Sequence, residues 1–310
     1  MFISFKMSDY RPTLSLEASR ELFSFSKWLF FNNSLFFMIH SSPNFIVGRI
    51  GGAQDLGTYT VAYEISNLPS TELAAPINRA TFPGFASMKD IDEIASSYLK
   101  LLGMITLLIL PVGVGIAAVA EPMVLALLGE NWISAIPLMQ VLAIYGAISA
   151  TQTNNGVLWM ALGRPRDLTI ATIAFLALFF CSIVLLFEPY GVVAVGYSYL
   201  LAQITITAAG LWHTRSLLSA AWTDMRAVAW RPVVAAVIMY FGVIAIDGCF
   251  RLSGAWQRLF IESAAGAAVY IGITLSLWLL AKRPDSAESY CLSRIRTSLA
   301  VLVKRKDRDT

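Results

Sequence analysis

Apolar residues dominate eight stretches of the chain, and each stretch approaches the roughly 20 residues that a helix needs to cross a membrane. With a window of about 19 residues, these stretches run over residues 28–47, 57–77, 99–120, 134–160, 168–187, 190–212, 232–250 and 259–281. The segment from Glu121 to Trp132 is apolar but too short to cross, so we expect it to turn at the membrane interface, with Trp132 at headgroup level. The hydrophobic pattern therefore predicts an all-α bundle of eight transmembrane helices.

The second predicted span carries polar and charged residues at membrane depth. Glu64, Asn67 and Glu72 interrupt its apolar run, and Pro69 between the two glutamates removes a backbone hydrogen bond and predicts a kink. An ionisable group at the centre of a bilayer costs about 2.5–3.5 kcal/mol, which makes Glu64 a candidate functional residue. Glu72 falls roughly 80° round the helix from Glu64. At helical spacing, one side of this span forms a stripe through Thr60, Glu64, Asn67, Thr71, Ala74 and Asn78.

Other spans also carry polar residues. The positions that share a side are Asn33, Phe37, His40 and Asn44 in the first span and Gln140, Thr151 and Asn155 in the fourth. Amides in membrane helices also bond to neighbouring helices, at about 0.6 kcal/mol each, and a lone histidine can be a packing residue. The fifth, seventh and eighth spans are apolar almost throughout. The pattern predicts either polar helix contacts or a cavity, with the candidate residues Glu64, His40, Asn67, Asn33, Asn44, Gln140 and Asn155.

The positions of the basic residues test the number of spans. With eight spans and both termini in the cytoplasm, 20 of the 23 Lys and Arg residues fall in cytoplasmic segments, and only Arg49, Arg251 and Arg258 fall outside. This asymmetry follows the positive-inside rule. The chain of 310 residues is also 57% hydrophobic and only 14% charged. Composition and charge predict a multi-pass membrane protein with cytoplasmic termini.

Two terminal segments lie outside the predicted spans. Residues 1–27 mix charged and aromatic side chains and lack the pattern of a signal peptide, so we expect an amphipathic cytoplasmic linker or surface helix. Residues 282–310 are basic and amphipathic. This composition predicts either a helix lying on anionic lipids of the cytoplasmic leaflet or a solvated, disordered tail.

The sequence lacks the residue sets that common enzymes require. It has no Gly-Lys-Ser/Thr phosphate loop, and its 2 histidines are too few for a metal cluster or a hydrolase triad. The Asp-x-Asp pattern within residues 89–93 lies in a short loop without a βαβ context, which favours an ordinary solvated charge run. Cys181, Cys249 and Cys291 share no short spacing. We expect transport rather than catalysis, without a cofactor, a metal ion or a nucleic-acid partner.

A specific series of motifs runs through the first half of the chain. "IVGR", "LGTYTVAYEI", "NRATFPGF" and "LLGENW" follow one another between residues 46 and 132, flanked by "RPTLSLEASRELFSFSKWLFFNN" at residues 11–33 and "VLWMALGRPRD" at residues 157–167. Because it contains these motifs in this order, the chain resembles the bacterial polysaccharide transporters, an oligosaccharide flippase family of the multidrug/oligosaccharidyl-lipid/polysaccharide flippase superfamily. The resemblance covers residues 11 to about 215 and extends to the last two helices only by hydropathy.

The resemblance implies a particular architecture. Family members usually have two six-helix lobes and often two extra helices. Residues 28–212 resemble the second lobe and residues 213–281 the extra pair, while a first lobe is absent. Similar proteins tend to have an Arg-x-Asp-like pair where this chain has Ser41, Ser42 and Pro43, which implies loss of a gating or coupling element. Since alternating access moves one half against the other, we expect a separate first lobe or a homodimer partner.

The resemblance also implies an activity. Family members move an oligosaccharide carried on polyprenyl diphosphate across the bacterial inner membrane, for lipopolysaccharide or exopolysaccharide synthesis. On this basis Glu64 is expected to exchange a proton or a sodium ion, and Arg49 and Arg79 are either diphosphate contacts or interface anchors. Two alternatives remain open: a truncated, inactive flippase fragment, or an integral-membrane glycan polymerase or acyltransferase. The nearly bare outer loops weigh against an enzyme.

Overall fold

The computed structural model describes residues 19–249, 254–281 and 289, and within these residues the chain is helical, without strands. Its α-helices are α1 Ser19–Ile50, α2 Gly52–Leu68, α3 Ala75–Ser87, α4 Ile91–Ala118, α5 Ala120–Leu127, α6 Ala135–Ala161, α7 Pro165–Tyr190, α8 Val193–Leu218, α9 Trp222–Cys249 and α10 Ala255–Leu280. A π-helical segment, Pro69–Ala74, joins α2 to α3, and a 3-10 helix, Glu130–Trp132, precedes α6. The predicted all-α class is confirmed.

In the described part of the chain, 6 helices are long and apolar enough to cross a membrane. These helices, α4 and α6 to α10, correspond to the third to eighth predicted spans. The first two predicted spans are helical but do not belong to this set. Polar residues such as His40 and Asn44 lower the hydropathy of α1, and α2 carries Glu64 and has only 17 residues before the π-helical segment begins. The multi-pass prediction is confirmed, whereas length and composition do not confirm the count of eight.

Several boundaries differ from the sequence-based ones. α1 begins at Ser19, so residues 19–27 of the predicted linker belong to the first helix. Residues 1–18 and the predicted basic tail, apart from Ser289, lie outside the described residues. The predicted interface turn contains α5, which has only 8 residues, followed by the 3-10 helix that ends at Trp132. This segment is too short to cross a membrane, as expected.

The start of α4 explains the Asp-x-Asp pattern. Asp90 is the N-cap residue, and its carboxylate accepts a hydrogen bond from the backbone N–H of Asp92 at 3.4 Å. Asp92 and Glu93 lie in the first turn, where negative charge interacts favourably with the helix dipole. These carboxylates therefore stabilise the beginning of a helix, in agreement with the ordinary interpretation of this charge run.

α6 lies at the centre of the bundle and packs against α2, α4 and α8. α7 packs against α8 and α1, while α9 packs against α4, and α10 against α9 and α5. Small residues allow the closest approaches: a Cβ atom added to Gly113 would lie 2.6 Å from the Cβ atom of Ala147. Helices in membranes associate through such close packing, since lipid tails are as apolar as the side chains.

Candidate functional site

α1 exposes one side and packs with the other against α7. On the packed side, the Thr172 hydroxyl donates a hydrogen bond to Oδ1 of Asn32 at 3.0 Å. On the exposed side, the Asn44 Nδ2 atom donates to the backbone carbonyl of His40 at 3.2 Å. The exposed positions include Asn33, Phe37, His40 and Asn44, the four residues that share a side in the sequence.

α2 packs beside α1 and carries the second part of this exposed surface. Glu64 is exposed, and Thr60 and Asn67 on the same helix are half-buried. Thr71, in the π-helical segment, is exposed as well. We call this set the polar face, and it comprises Asn33, His40, Asn44, Thr60, Glu64, Asn67 and Thr71.

A side-chain contact connects the two helices of the polar face. The Nδ1 atom of His40 lies 2.9 Å from the hydroxyl oxygen of Tyr63, the residue before Glu64. The two rings meet edge to face, with centroids 6.1 Å apart. This hydrogen bond fixes one nitrogen of the imidazole and holds His40 against the helix that carries Glu64.

Behind the polar face, tyrosine side chains from three helices form a buried cluster. The ring of Tyr63 lies 5.7 Å from Tyr59 and 6.0 Å from Tyr199, and Tyr199 lies 4.7 Å from Tyr145. The Tyr199 hydroxyl donates to the backbone carbonyl of Ile39 at 2.7 Å, next to His40. The candidate residues that the sequence indicates do not include these tyrosines. The spacing of Tyr59 and Tyr63, four positions apart, is the signal that predicts a shared helix side.

The π-helical segment changes the direction of the side chains that follow it. An unbroken α-helix brings Asn78 back to within roughly 40° of the side of Glu64. A π-helical turn accommodates one extra residue, which turns the following residues by roughly 100° relative to that arrangement. Ala74 and Asn78 are accordingly buried, while Glu64 and Thr71 are exposed. The prediction of a single polar stripe from Thr60 to Asn78 is therefore wrong for Ala74 and Asn78.

α2, the π-helical segment and α3 form one long helix, the α2–α3 helix, and its inward side packs against α6. The hydroxyl of Ser66 donates to the carbonyl of Met139 at 3.3 Å, and that of Ser70 donates to Gly146 at 3.3 Å. The approach is close because a Cβ atom added to Gly146 would lie 2.4 Å from the carbonyl oxygen of Ser66. Further along, Nδ2 of Asn78 donates to the Thr153 hydroxyl at 2.6 Å. From Ser66 to Asn78, the side of this helix that faces α6 therefore serves helix packing.

The remaining charged candidates are exposed and separate. Glu72 lies in the π-helical segment, Arg49 in the last turn of α1, and Arg79 in α3. The Nε atom of Arg79 donates to the backbone carbonyl of Ala75 at 3.3 Å. Within the described residues, Arg79 and Glu72 form no ion pair.

The candidates on α6 differ from those on α1 and α2. Asn155 is buried: its Oδ1 atom accepts from the Tyr98 hydroxyl at 2.5 Å, and its Nδ2 atom donates to Gln152 at 2.5 Å. Gln140 is half-buried. Asn155 therefore forms contacts between helices, as the packing alternative predicts, and it lies away from the polar face.

The polar face offers one carboxylate together with amide, imidazole and hydroxyl groups. Such groups can hydrogen-bond sugar hydroxyls, and the carboxylate can bind a proton or a monovalent cation. Among the residues that the structure describes, no group of three or more His, Cys, Asp and Glu side chains is arranged to hold a metal ion.

Comparisons with known proteins identify related chains. Residues 1–137 match the model of a family described as polysaccharide biosynthesis protein. The chain is 28% identical over 257 residues to the teichuronic acid biosynthesis protein TuaB of Bacillus subtilis, and this match covers 82% of the chain and 52% of TuaB. It is 29% identical over 211 residues to the lipopolysaccharide biosynthesis protein WzxC of Escherichia coli, and this match covers 67% of the chain and 43% of WzxC.

A third relative is the succinoglycan biosynthesis transport protein ExoT of Rhizobium meliloti, with 29% identity over 143 residues, 45% of this chain and 29% of ExoT. The chain spans about half the length of TuaB and WzxC. No solved structure matches. The motif order, the helical fold and these matches together show that the chain is similar to proteins of polysaccharide biosynthesis and transport.

Proposed function

We propose that the chain forms one half of a flippase that moves lipid-linked oligosaccharide across the bacterial inner membrane. In this proposal the chain crosses the membrane eight times, with both termini in the cytoplasm. The six apolar helices account for six of the crossings, and α1 and the long α2–α3 helix supply the other two. The 20-to-3 distribution of basic residues supports this orientation.

The polar face is the observation that carries the proposal. Lipid tails cannot satisfy amide, imidazole and carboxylate groups, and each unsatisfied group costs several kcal/mol, on the order of 2 to 7. Glu64, His40 and Asn33 are exposed at membrane depth if α1 and α2 cross the bilayer. A face of this kind requires a partner or a water-filled cavity in front of it.

The second half of the transporter would cover this face. We propose that it is either a separately encoded first lobe or a second copy of this chain. Alternating access then arises from movement of the two halves around the polar face. The apolar and aromatic residues beside the polar face, such as Phe37 at 71% exposure, would pack against the partner.

The names of the relatives indicate the class of cargo. ExoT is named as a transport protein for succinoglycan, and WzxC and TuaB are named for lipopolysaccharide and teichuronic acid biosynthesis. We infer that the cargo is an oligosaccharide on polyprenyl diphosphate and that the chain is not an enzyme. Arg49 and Arg79 are exposed near the two ends of the polar helices, where they would contact the diphosphate or anchor the helices at the interface.

Glu64 is the proposed coupling residue. It lies on the exposed side of α2, next to Tyr63, whose hydroxyl contacts His40. As a transporter opens to alternate sides, a carboxylate in its cavity exchanges a proton or a sodium ion with each solution. The basic residues beyond position 281 would hold the tail on anionic lipids of the cytoplasmic leaflet.

The experiment is complementation of a strain that lacks its own flippase. The chain is expressed alone and together with the first lobe of a related transporter, and surface polysaccharide is measured at equal membrane levels. We expect export with the first lobe, or with the chain alone if crosslinking detects a homodimer. The control strain expresses the first lobe alone. Transport by a purified, monomeric chain in liposomes would contradict the two-half proposal, and absence of export in every combination would favour an inactive fragment.

A further inference from the structure

A pocket of about 360 Å³ lies between α4, α5, α9 and α10. This volume falls within the range of small-ligand sites, roughly 300–1,000 Å³. Its walls extend along α10 from Glu262 to Ile271, a distance of about 13 Å at 1.5 Å per residue. Apolar and small residues form most of the walls, among them Pro111, Gly115, Met123, Val243, Gly266 and Ala267.

The pocket ends at a cluster of charged side chains. Glu262 lines the pocket and is only 2% exposed. Its Oε1 atom lies 3.4 Å from Nε of Arg258, whose Nη2 atom lies 2.5 Å from Asp247 and whose Nη1 atom lies 3.3 Å from Glu121. These residues come from α5, the end of α9 and the beginning of α10. The charged cluster therefore marks one end of the bundle and the polar end of the pocket.

The charges of this cluster do not balance. Among the residues that the structure describes there, three carboxylates surround one guanidinium group, which favours the binding of a cation. Arg258 is largely covered, with 18% of its side chain exposed, while 49% of Glu121 and 38% of Asp247 remain accessible. The accessible carboxylates can accept hydrogen bonds from a ligand ammonium group, and charge-assisted bonds of this type are short and strong. A headgroup that carries only negative charge lacks the ammonium group that these carboxylates can bind.

We infer that this pocket binds a phospholipid whose headgroup ends in a primary ammonium group, the chemistry of phosphatidylethanolamine. The ammonium group contacts the accessible carboxylate oxygens of Glu121 and Asp247, which also contact Arg258. The first part of one acyl chain occupies the apolar pocket beside Gly115 and Gly266. The combination fits an amphiphile of the membrane, since the pocket is apolar along the helices and charged only where the helices end. Such a bound lipid holds α9 and α10 against α4 and α5.

The test uses native mass spectrometry of the purified full chain in detergent, with phosphatidylethanolamine and phosphatidylglycerol added in parallel. We expect one retained phosphatidylethanolamine molecule and at least about tenfold weaker binding of phosphatidylglycerol, because its headgroup lacks the ammonium. The double variant Glu121→Gln, Asp247→Asn should weaken phosphatidylethanolamine binding by about tenfold or more. Glu188→Gln is the charge control, since Glu188 is an exposed acid at the same end of the bundle.

A second pair of variants tests the pocket separately from the charges. Ala267→Leu places a larger side chain on the pocket wall and should reduce lipid retention, whereas Ala268→Leu, at the neighbouring exposed position outside the wall, should not. Equal or tighter binding of phosphatidylglycerol would overturn the inference. So would full retention of phosphatidylethanolamine by Ala267→Leu, which decides the question if the charge variant fails to fold.

Discussion

The imidazole of His40 and the hydroxyl of Tyr63 lie 2.9 Å apart, and this contact ties α1 to α2 one residue before Glu64. The contact has a polar exposed side and a buried aromatic side formed by Tyr59, Tyr145 and Tyr199. Its position makes Glu64 part of a structured surface rather than an isolated charge. The first prediction concerns this carboxylate.

Glu64→Gln is expected to leave the protein folded and inserted but to abolish polysaccharide export, because an amide cannot take up and release a proton or hold a sodium ion in the same way. Glu72→Gln is the matched control and should have a milder effect. The measurement is surface polysaccharide in the complemented strain, with membrane levels checked by blot. Full export by Glu64→Gln at normal levels would reduce Glu64 to a contact residue for the partner.

Two asparagines are expected to separate stability from transport. Asn155→Ala removes the partner of the buried Tyr98 hydroxyl and should lower the free energy of unfolding by about 1–2 kcal/mol. Asn33→Ala changes an exposed residue of the polar face and should lower export without changing the thermal midpoint. Both are measured by thermal unfolding in detergent and by the export assay. A stable Asn155→Ala variant would show that the hydrogen bond to Tyr98 contributes little.

Gly146→Ala should destabilise the packing of α2 on α6. Its added methyl group would lie 2.4 Å from the carbonyl oxygen of Ser66, which forces the two backbones apart and should cost about 1–3 kcal/mol. Gly84→Ala is the control, since no atom lies within 4 Å of its added Cβ. The control should be neutral or slightly stabilising, because alanine favours helices. Equal unfolding midpoints for the two variants would contradict the close approach.

Reporter fusions are expected to give a topology of eight spans. Fusions at Lys89, Asp224 and Asp309 should report from the cytoplasm, and a fusion at Glu130 should report from the outside. The physical reason is the positive-inside distribution of Lys and Arg. A cytoplasmic Glu130 reporter, or an external reporter at Lys89, would require α1 or the α2–α3 helix to lie outside the membrane.

Hydrophobic length alone predicted the helices well, because burial in lipid requires long apolar runs whatever their neighbours are. It placed α6 to α10 within a few residues at most ends and identified the short segment that ends at Trp132. The exposed side of α1 was also predictable, since Asn33, His40 and Asn44 recur at helical spacing.

The remaining features depend on backbone geometry and on residues distant in sequence. Helical periodicity predicts Asn78 on the side of Glu64, whereas the π-helical turn adds one residue and Asn78 lies on the buried side. The charge pattern predicts Arg258 in an outer loop, whereas it lies in the first turn of α10 and contacts Glu121 and Asp247 on two other helices. Such a cluster cannot be identified before the helices are packed.

The π-helical segment also allows the α2–α3 helix to change its length by one residue while α2 and α3 keep their orientation relative to each other. A π-helical turn accommodates a single inserted residue without rotating the flanking turns, so deletion of one residue within Pro69–Ala74 would restore an ordinary α-helix. Glu64 would still point outward and Asn78 would still meet Thr153. The same deletion anywhere else in α2 or α3 would rotate one half by roughly 100°. Related chains that differ by one residue in this helix are therefore expected to carry the gap within this segment.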